Sequence, residues 1–380
     1  MRRSCCACSG WGHGLSYTPK LSRFFTFSDV YGSSPDSGLI FMNGSLFGTT
    51  SGSVLGSHGF VYKLDANGVL TLVYRFIGGG DGTNPVGVIA GLNGTLYGAT
   101  MEGGAYNFGT VFEVTETGSE RVLHSFGAGL DGTIPLAGLV SDAAGNLYGT
   151  TGTGGNSGYN SGTVFKVAPC GAETPQCPET VMYNFTGPYQ TDGAYPVAPL
   201  IIDSSGNLYG TTSAGGIGNG TIFKVNPGGE ETVLHRFGIE PDGASPEGGL
   251  VRDRQGNFYG TTFRGGTYGY GTVFRMDESG DETILYSFGQ NGDGQNPDSG
   301  VVLDQAGNLY GTTSAGGAYL GGTIFEIDIN GIETVLHSFN IIPDGIHPSG
   351  GLLMDAKGNL YGTTSGGAYY NWGTIFELTP

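Results

Sequence analysis

An aromatic-Gly-Thr-Thr marker returns along this chain at a nearly constant interval, and no other feature narrows the possible folds so far. Its glycines are Gly48, Gly98, Gly149, Gly210, Gly260, Gly311 and Gly362, spaced by 50, 51, 61, 50, 51 and 51 residues. The ten residues NLYGTTSAGG occur identically at 207–216 and 308–317. Seven copies of a unit of about 50 residues fall in the range of propeller blades or solenoid units.

Each unit contains four strand-like segments, here called a, b, c and d. In the sixth they are Ser299–Asp304, Asn308–Thr313, Gly322–Ile327 and Glu333–Phe339. All are short, rich in β-branched and aromatic residues, and bounded by Gly, Asn, Asp or Pro, with no helical period between them. The a–b turn is spelled Asp-x-x-Gly-Asn in five units, starting at Asp142, Asp203, Asp253, Asp304 and Asp355. That spelling predicts a type I turn with a left-handed glycine.

The two ends choose between a ring and an open solenoid. The chain starts with a d-like strand, Arg23–Phe27, and finishes with a, b and c at Gly350–Asp355, Asn359–Thr364 and Gly373–Leu378. A ring sealed by pairing its termini needs this circular offset, because the pairing removes an exposed edge. A solenoid would carry distinct capping repeats instead. The expected fold is therefore all-β, a seven-bladed β-propeller of four-stranded blades whose N-terminal strand closes the last blade. The expected blades are 36–77, 86–126, 136–185, 197–237, 247–288, 298–339, and 349–380 with 21–28. Residues 1–20 are expected to be a disordered leader.

Composition agrees with many tight turns. Glycine supplies 75 of 380 residues, against the usual ~7%. The 15 basic and 33 acidic residues give a net charge of −18, which disfavours nucleic acid and anionic membrane as partners. No apolar run reaches the ~18 residues of a membrane span. The leader MRRSCCACSGWGHGLSYTPK is basic but lacks the apolar core of a signal peptide. Its Cys5, Cys6, Cys8 and His13 lack a second Cys/His pair at zinc-site spacing. Cys170 and Cys177 flank CGAETPQC, the one large insertion. Whether they pair is open from sequence, and a disulfide there would imply an oxidising compartment.

The units NLYGTT…GTVFxx…ETVLHSF…DGxxPxGGL resemble the GloVer (Gloeo_Verruco) tandem repeat, over all seven copies. The resemblance implies an exported bacterial protein, extracellular or at the cell surface, and assigns no activity or catalytic residue. No sorting tail follows Gly373–Pro380, so surface anchoring is not part of the expectation.

Residues present in every unit are first read as blade builders. His124, His235 and His337 alternate with Tyr74, Tyr183, Tyr286 and Phe25, so the position asks for a ring rather than a base. Phe112, Phe165, Phe223, Phe274, Phe325 and Phe376 are expected to pack between blades. The Asp-Gly-x-x-Pro loop carries Asp81, Asp131, Asp192, Asp242, Asp293 and Asp344. It raises calcium as a cofactor, but each loop offers one carboxylate where calcium takes six to eight oxygens. A turn-capping Asp before a left-handed Gly is the favoured reading, and no metal ligand set is assigned.

The long b–c loops and d–a crossovers should share one rim of the ring. Its aromatics, Tyr106, Tyr268, Tyr270, Tyr319, Tyr369, Tyr370 and Trp372, interleave with Gly, Asn and Ser and suit a glycan or a protein. The competing reading packs the tyrosines of Gly-Gly-x-Tyr over the blade edge. His58, His347, Tyr369, Tyr370 and Trp372 are expected to gather where the first and last blades meet. Arg252 and Arg264 are candidates to meet an acidic ligand near the channel, against a plainer reading of solvated or acid-paired side chains. The leading expectation is a non-catalytic propeller that binds glycan or extracellular protein on this rim. The alternatives are a lyase-like polysaccharide enzyme using His58 or His347 as base with Arg252 or Arg264, and a structural scaffold. Oligomeric state is not legible.

Overall fold

A computed structural model describes residues 19–28, 31–52, 58–127, 130–156, 158–174, 176–238, 241–290 and 292–379. Cys5, Cys6, Cys8 and His13 lie outside these residues. Seven antiparallel sheets, each containing strands a to d in that spatial order, form a β-propeller. Blade 4 is representative, with a at Ile201–Ile202, b at Leu208–Thr212, c at Thr221–Val225 and d at Glu231–Arg236. Strand b of this blade is buried along its whole length, because neighbouring blades cover both of its faces. Such a strand reads as a continuous run rather than an alternation.

The ring closes through the N-terminus. Lys20–Thr26 pairs antiparallel with Thr374–Thr379 and supplies strand d of blade 7, with Leu21 opposite Leu378 and Phe25 opposite Ile375. The Phe27 N–H donates to the Gly373 carbonyl at 3.1 Å, as the Phe237 N–H does to Gly220 within blade 4. The Phe27 ring then stands edge-on to Tyr62 of blade 1, 5.3 Å between centroids. The equivalent rings meet edge-on for Phe76 and Phe112, Phe126 and Phe165, Phe185 and Phe223, and Phe237 and Phe274, and tilted for Phe288 and Phe325 and for Phe339 and Phe376. The strand c phenylalanines therefore do pack between blades, against the ring that ends strand d of the blade before.

Those rings explain the marker glycine. A Cβ on Gly260 would lie 2.6 Å from Cζ of Phe274 on the paired strand c. Blade 1 has Tyr62 where six blades have Phe, and its buried hydroxyl has no hydrogen-bond partner. A desolvated, unpaired hydroxyl costs about 1–3 kcal/mol. Tyr62→Phe is therefore expected to raise stability by about 1 kcal/mol or more in urea unfolding, and a loss of stability would show that the hydroxyl is satisfied.

Strand a differs from expectation. Ser299–Asp304 and Gly350–Asp355 were expected to be strands, but pairing is confined to Val302–Leu303 and Leu353–Met354. The preceding glycines instead line the axis, where neighbouring blades meet backbone to backbone. A Cβ on Gly300 would fall 2.4 Å from the Gly249 carbonyl oxygen, and one on Gly350 equally close to that of Ser37. The second contact joins blade 7 to blade 1.

The short-turn rim is capped as the spelling predicts. Gly145, Gly206, Gly256, Gly307 and Gly358 all have positive φ. In the first of these turns Asp142 Oδ1 accepts from the Ala144 and Asn146 N–H groups, while Oδ2 accepts from the Asn146 amide and Tyr148 hydroxyl. The marker tyrosine is thus also a turn cap. Blade 1, whose turn is Asn43-Gly44, has Phe47 there and needs no hydroxyl.

Candidate binding rim and channel mouth

The long-loop rim is assembled by one backbone contact repeated at every blade junction. The residue before each crossover proline, Ser34, Asn84, Ile134, Tyr195, Ser245, Asn296 or His347, has φ between 51° and 58°. Only its left-handed backbone turns the N–H toward the previous blade. There it donates to the carbonyl of Trp372, His58, Phe108, Ser161, Asn219, Tyr270 or Gly321, at 2.8–3.3 Å. Each acceptor precedes a glycine of positive φ, and the crossover proline fills the space where that glycine's Cβ would stand. At the ring closure a Cβ on Gly373 would fall 2.8 Å from Pro35 Cδ.

This repeat places the singled-out residues. His58 and Trp372 occupy the same acceptor position in blades 1 and 7, and His347 is the left-handed residue entering blade 7. The three lie at successive junctions, with His58 between blades 1 and 2, His347 between 6 and 7, and Trp372 between 7 and 1. The His58 ring rests against Gly78. His347 Nδ1 lies 2.8 Å from the Ser314 carbonyl oxygen. Trp372 is half-buried on the cluster formed by Phe27, Tyr62 and Ile375.

The tyrosines remain at the surface while leaning on glycines. Tyr268 and Tyr270 flank Gly289, and Tyr106 and Phe108 flank Gly127. Exposure is 46% and 43% for Tyr268 and Tyr270, 60% for Tyr319, and 63% for both Tyr369 and Tyr370. Blades 5, 6 and 7 are consecutive, so these rings form an arc along the rim.

The two arginines lie at opposite ends of blade 5. Arg252 hydrogen-bonds Glu278 and the Gly256 carbonyl beside the short turns, with its guanidinium 5.0 Å from the Phe258 ring centroid. Arg264 opens the long b–c loop. Cys170 and Cys177 form a disulfide with 5.2 Å between Cα atoms. The inserted loop sits on blade 2, where Cys177 N–H donates to the Leu123 carbonyl and Arg121 to that of Gly171.

At the centre of this rim opens the axial channel, enclosing about 330 Å³ and lined from all seven blades. The residue after each crossover proline faces it. Val86, Leu136 and Val197 make one side apolar, while Glu247, Asp298, Ser349 and Asp36 make the other polar and largely acidic. Burial pushes Asp36 up to about 6 and Asp298 up to about 7, the latter reinforced by the charges of Glu247 and Asp36. Burial also raises Glu247, against the opposing pull of Arg264. Sequence reasoning missed this patch. Its only trace was a carboxylate at Pro-x in three of seven units.

The aspartates of Asp-Gly-x-x-Pro cap their loops as expected, Asp81 accepting from the Ile77 N–H and Asp131 from that of Gly127, but a second partner was missed from sequence. The Asp of Asp-Gly-x-x-Pro accepts from the ring on the strand d before it, with Tyr74–Asp81 at 3.0 Å, His124–Asp131 at 2.9 Å, Tyr183–Asp192 at 2.7 Å and Tyr286–Asp293 at 2.9 Å. Position d therefore asks for a ring with a polar tip. His337–Asp344 follows at 3.1 Å, and His235 stands 3.6 Å from Asp242. In the one unit without the Asp, Tyr31 takes its place and Phe25 that of the donor, and the two rings meet edge-on at 5.4 Å. That paired exchange was visible in the sequence.

A tandem-repeat β-propeller with a wide aromatic rim is the class that fold and rim define. The chain matches the Gloeobacter/Verrucomicrobia repeat over residues 9–219, 129–302 and 217–380, and it belongs to that family. No curated protein matches it. Solved structures of similar shape include PorZ, an essential bacterial surface component of the type-IX secretion system of Porphyromonas gingivalis. It has a TM-score of 0.57 at 14% identity, over 90% of this chain and 46% of that one. An extracellular domain of BT4673 from B. thetaiotaomicron gives 0.55 at 11%, over 90% and 38%. Puromycin hydrolase gives 0.52 at 12%, over 88% and 50%. The chain thus spans half or less of each, and at these identities the likeness is one of fold. Among the described residues no helix is long and apolar enough to cross a membrane.

Proposed function

We propose that this propeller works outside the cytoplasm as a non-catalytic receptor for neutral glycans, held on the long-loop rim over blades 5 to 7. The observation that carries the reading is the arc of half-exposed Tyr268, Tyr270, Tyr319, Tyr369 and Tyr370. Their rings offer flat apolar faces to sugar C–H groups, with Asn, Ser and backbone groups between them for hydroxyls. A net charge of −18 and the carboxylates at the channel mouth disfavour acidic polysaccharides. The Cys170–Cys177 disulfide supports an oxidising compartment. Two of the similar folds come from a surface component and an extracellular domain.

A glycan array tests the reading. Tyr319→Ala and Tyr370→Ala are each expected to weaken a captured glycan about tenfold, the scale of losing one aromatic anchor. Unchanged binding in both variants removes the rim, and capture of protein but no glycan makes the rim a protein surface. The second reading is an enzyme at the channel mouth, favoured by the raised pKa of Asp298, since general acids work best near ambient pH. Polysaccharides incubated with the protein would then gain reducing ends or the ultraviolet absorbance of unsaturated uronides, and Asp298→Asn would abolish the gain. No gain over a neutral and acidic panel retires it.

A further inference from the structure

On the outer face of the junction between blades 4 and 5, side chains from both blades converge. His235 comes from strand d of blade 4, Asp242 from the crossover that follows, and Glu282 begins strand d of blade 5. One ligand atom from each lies within 4.8 Å of the others. We propose that His235, Asp242 and Glu282 bind a zinc-class divalent ion that ties the outer strands of the two blades together.

The geometry departs from its own repeats in the direction a metal requires. His235 Nε2 stands 3.6 Å from Asp242 Oδ2, beyond hydrogen-bond range. The corresponding distances are 2.9 Å for His124–Asp131 and 3.1 Å for His337–Asp344. Two ligands bound at ~2.0–2.2 Å to a tetrahedral zinc lie roughly 3.3–3.6 Å apart. His235 Nε2 is a buried atom without a hydrogen-bond partner, unlike Nε2 of His124 and His337. Glu282 Oε1 is unpartnered too, as it is at the corresponding Glu120, Glu179, Glu231 and Glu333. Three ligands would leave a fourth position for water.

The groups are also held in place. Asp242 accepts from the Gly238 N–H at 2.5 Å and the Gly243 N–H at 2.7 Å. The His235 ring is fixed edge-on to Phe237, 4.9 Å between centroids. The His235 and Asp242 side chains keep 18% and 19% of their surface, enough for an ion to arrive. One imidazole and two carboxylates suit zinc better than calcium, which takes six to eight oxygens, or magnesium, which favours oxygen alone.

Other junctions lack one part or have it engaged. Tyr74, Tyr183 and Tyr286 replace the histidine. Leu21, opposite Leu378, stands where a Glu would face His337 and Asp344. His124, Asp131 and Glu179 match in composition, but the His124–Asp131 hydrogen bond occupies the nitrogen.

The test uses the untagged full chain, stripped with chelator and titrated with zinc sulfate by calorimetry, with thermal melts alongside. The parent is expected to bind one more zinc than His235→Tyr, and zinc should raise the Tm of the parent more than that of the variant. Tyrosine occupies this position in blades 1, 3 and 5, so the substitution suits the fold, and a cooperative melt checks it. Glu282→Gln should weaken that zinc about tenfold or more, while His124→Tyr should leave it unchanged. The proposal is overturned if His235→Tyr binds as much zinc as the parent with the same affinity. Zinc would then sit elsewhere, with Cys5, Cys6 and Cys8 as other donors. Absence of zinc binding in the parent, or equal loss in His124→Tyr, overturns it too. None of these readouts depends on what the rim binds.

Discussion

Removing residues 1–27 is expected to leave a chain that no longer melts cooperatively and associates in solution. The deletion strips strand d from blade 7 and leaves Thr374–Thr379 as an unpaired edge, the template for pairing with another chain. It also removes Phe27 from against Tyr62, opening the interface between blades 7 and 1. Phe27→Ala alone should cost about 3–5 kcal/mol, a large part of the ~5–15 kcal/mol typical of a domain. The deletion should cost more, because six main-chain pairings go with it. Circular dichroism melts and size-exclusion chromatography report both effects. A peptide of residues 19–28 added to the truncated chain should restore the melt. A monomeric truncated chain with the parent Tm would mean that the N-terminal strand does not seal the ring.

The second large effect is a loss of stability as pH rises from about 5 to 8. Glu120, Glu179, Glu231, Glu282 and Glu333 each begin a strand d, and burial pushes each up to about 7 from an ordinary 4.5. The aspartate of the preceding junction adds to the rise, as Asp81 does for Glu120 and Asp293 for Glu333. Between these values the folded chain holds protons that the unfolded chain has lost. Raising the pH therefore favours unfolding, and the stabilisation is gone once the pH passes about 7. Asp36 and Asp298 in the channel act in the same sense.

The turn-capping aspartates act oppositely. Burial opposes ionisation of Asp142, Asp203, Asp253 and Asp355, but hydrogen bonds led by the Asn amide and N–H outweigh it and hold their pKa down. Their contribution is complete above the ordinary 3.8 and is lost in stronger acid. The Tm should therefore peak near pH 5 and fall toward pH 8. Glu120→Gln, Glu231→Gln and Glu333→Gln combined should flatten the fall. A Tm that rises across this interval would show these carboxyls ionised in the folded state.

The architecture was legible because its cause is local and repeated. Turn spelling, strand composition and the circular offset of strand d all act within one unit or between the ends, and each can be counted along a line of letters. Strand a is shorter than its letters suggest because residues such as Gly300 and Gly350 owe their conformation to a neighbouring blade, not to their own segment. The Asp–ring pairs were half legible, since the joint change to Tyr31 and Phe25 marked a contact that propensity alone does not register. Carboxylates at the channel mouth gain meaning only when residues hundreds of positions apart, such as Asp36 and Asp298, face one space. The separation of His58, Trp372 and His347 onto three junctions likewise follows from counting the repeat position of each.

The junction contact has a consequence for how such a rim can change. Both partners engage through backbone alone, one N–H and one carbonyl, so this contact itself places no demand on either side chain beyond tolerance of a left-handed residue before proline. Ser, Asn, Ile, Tyr and His all serve on one side, and His, Phe, Ser, Asn, Tyr, Gly and Trp on the other. Assembly and recognition are thereby uncoupled: the ring works as a socketed display whose seven paired slots can be exchanged one at a time without rebuilding a blade.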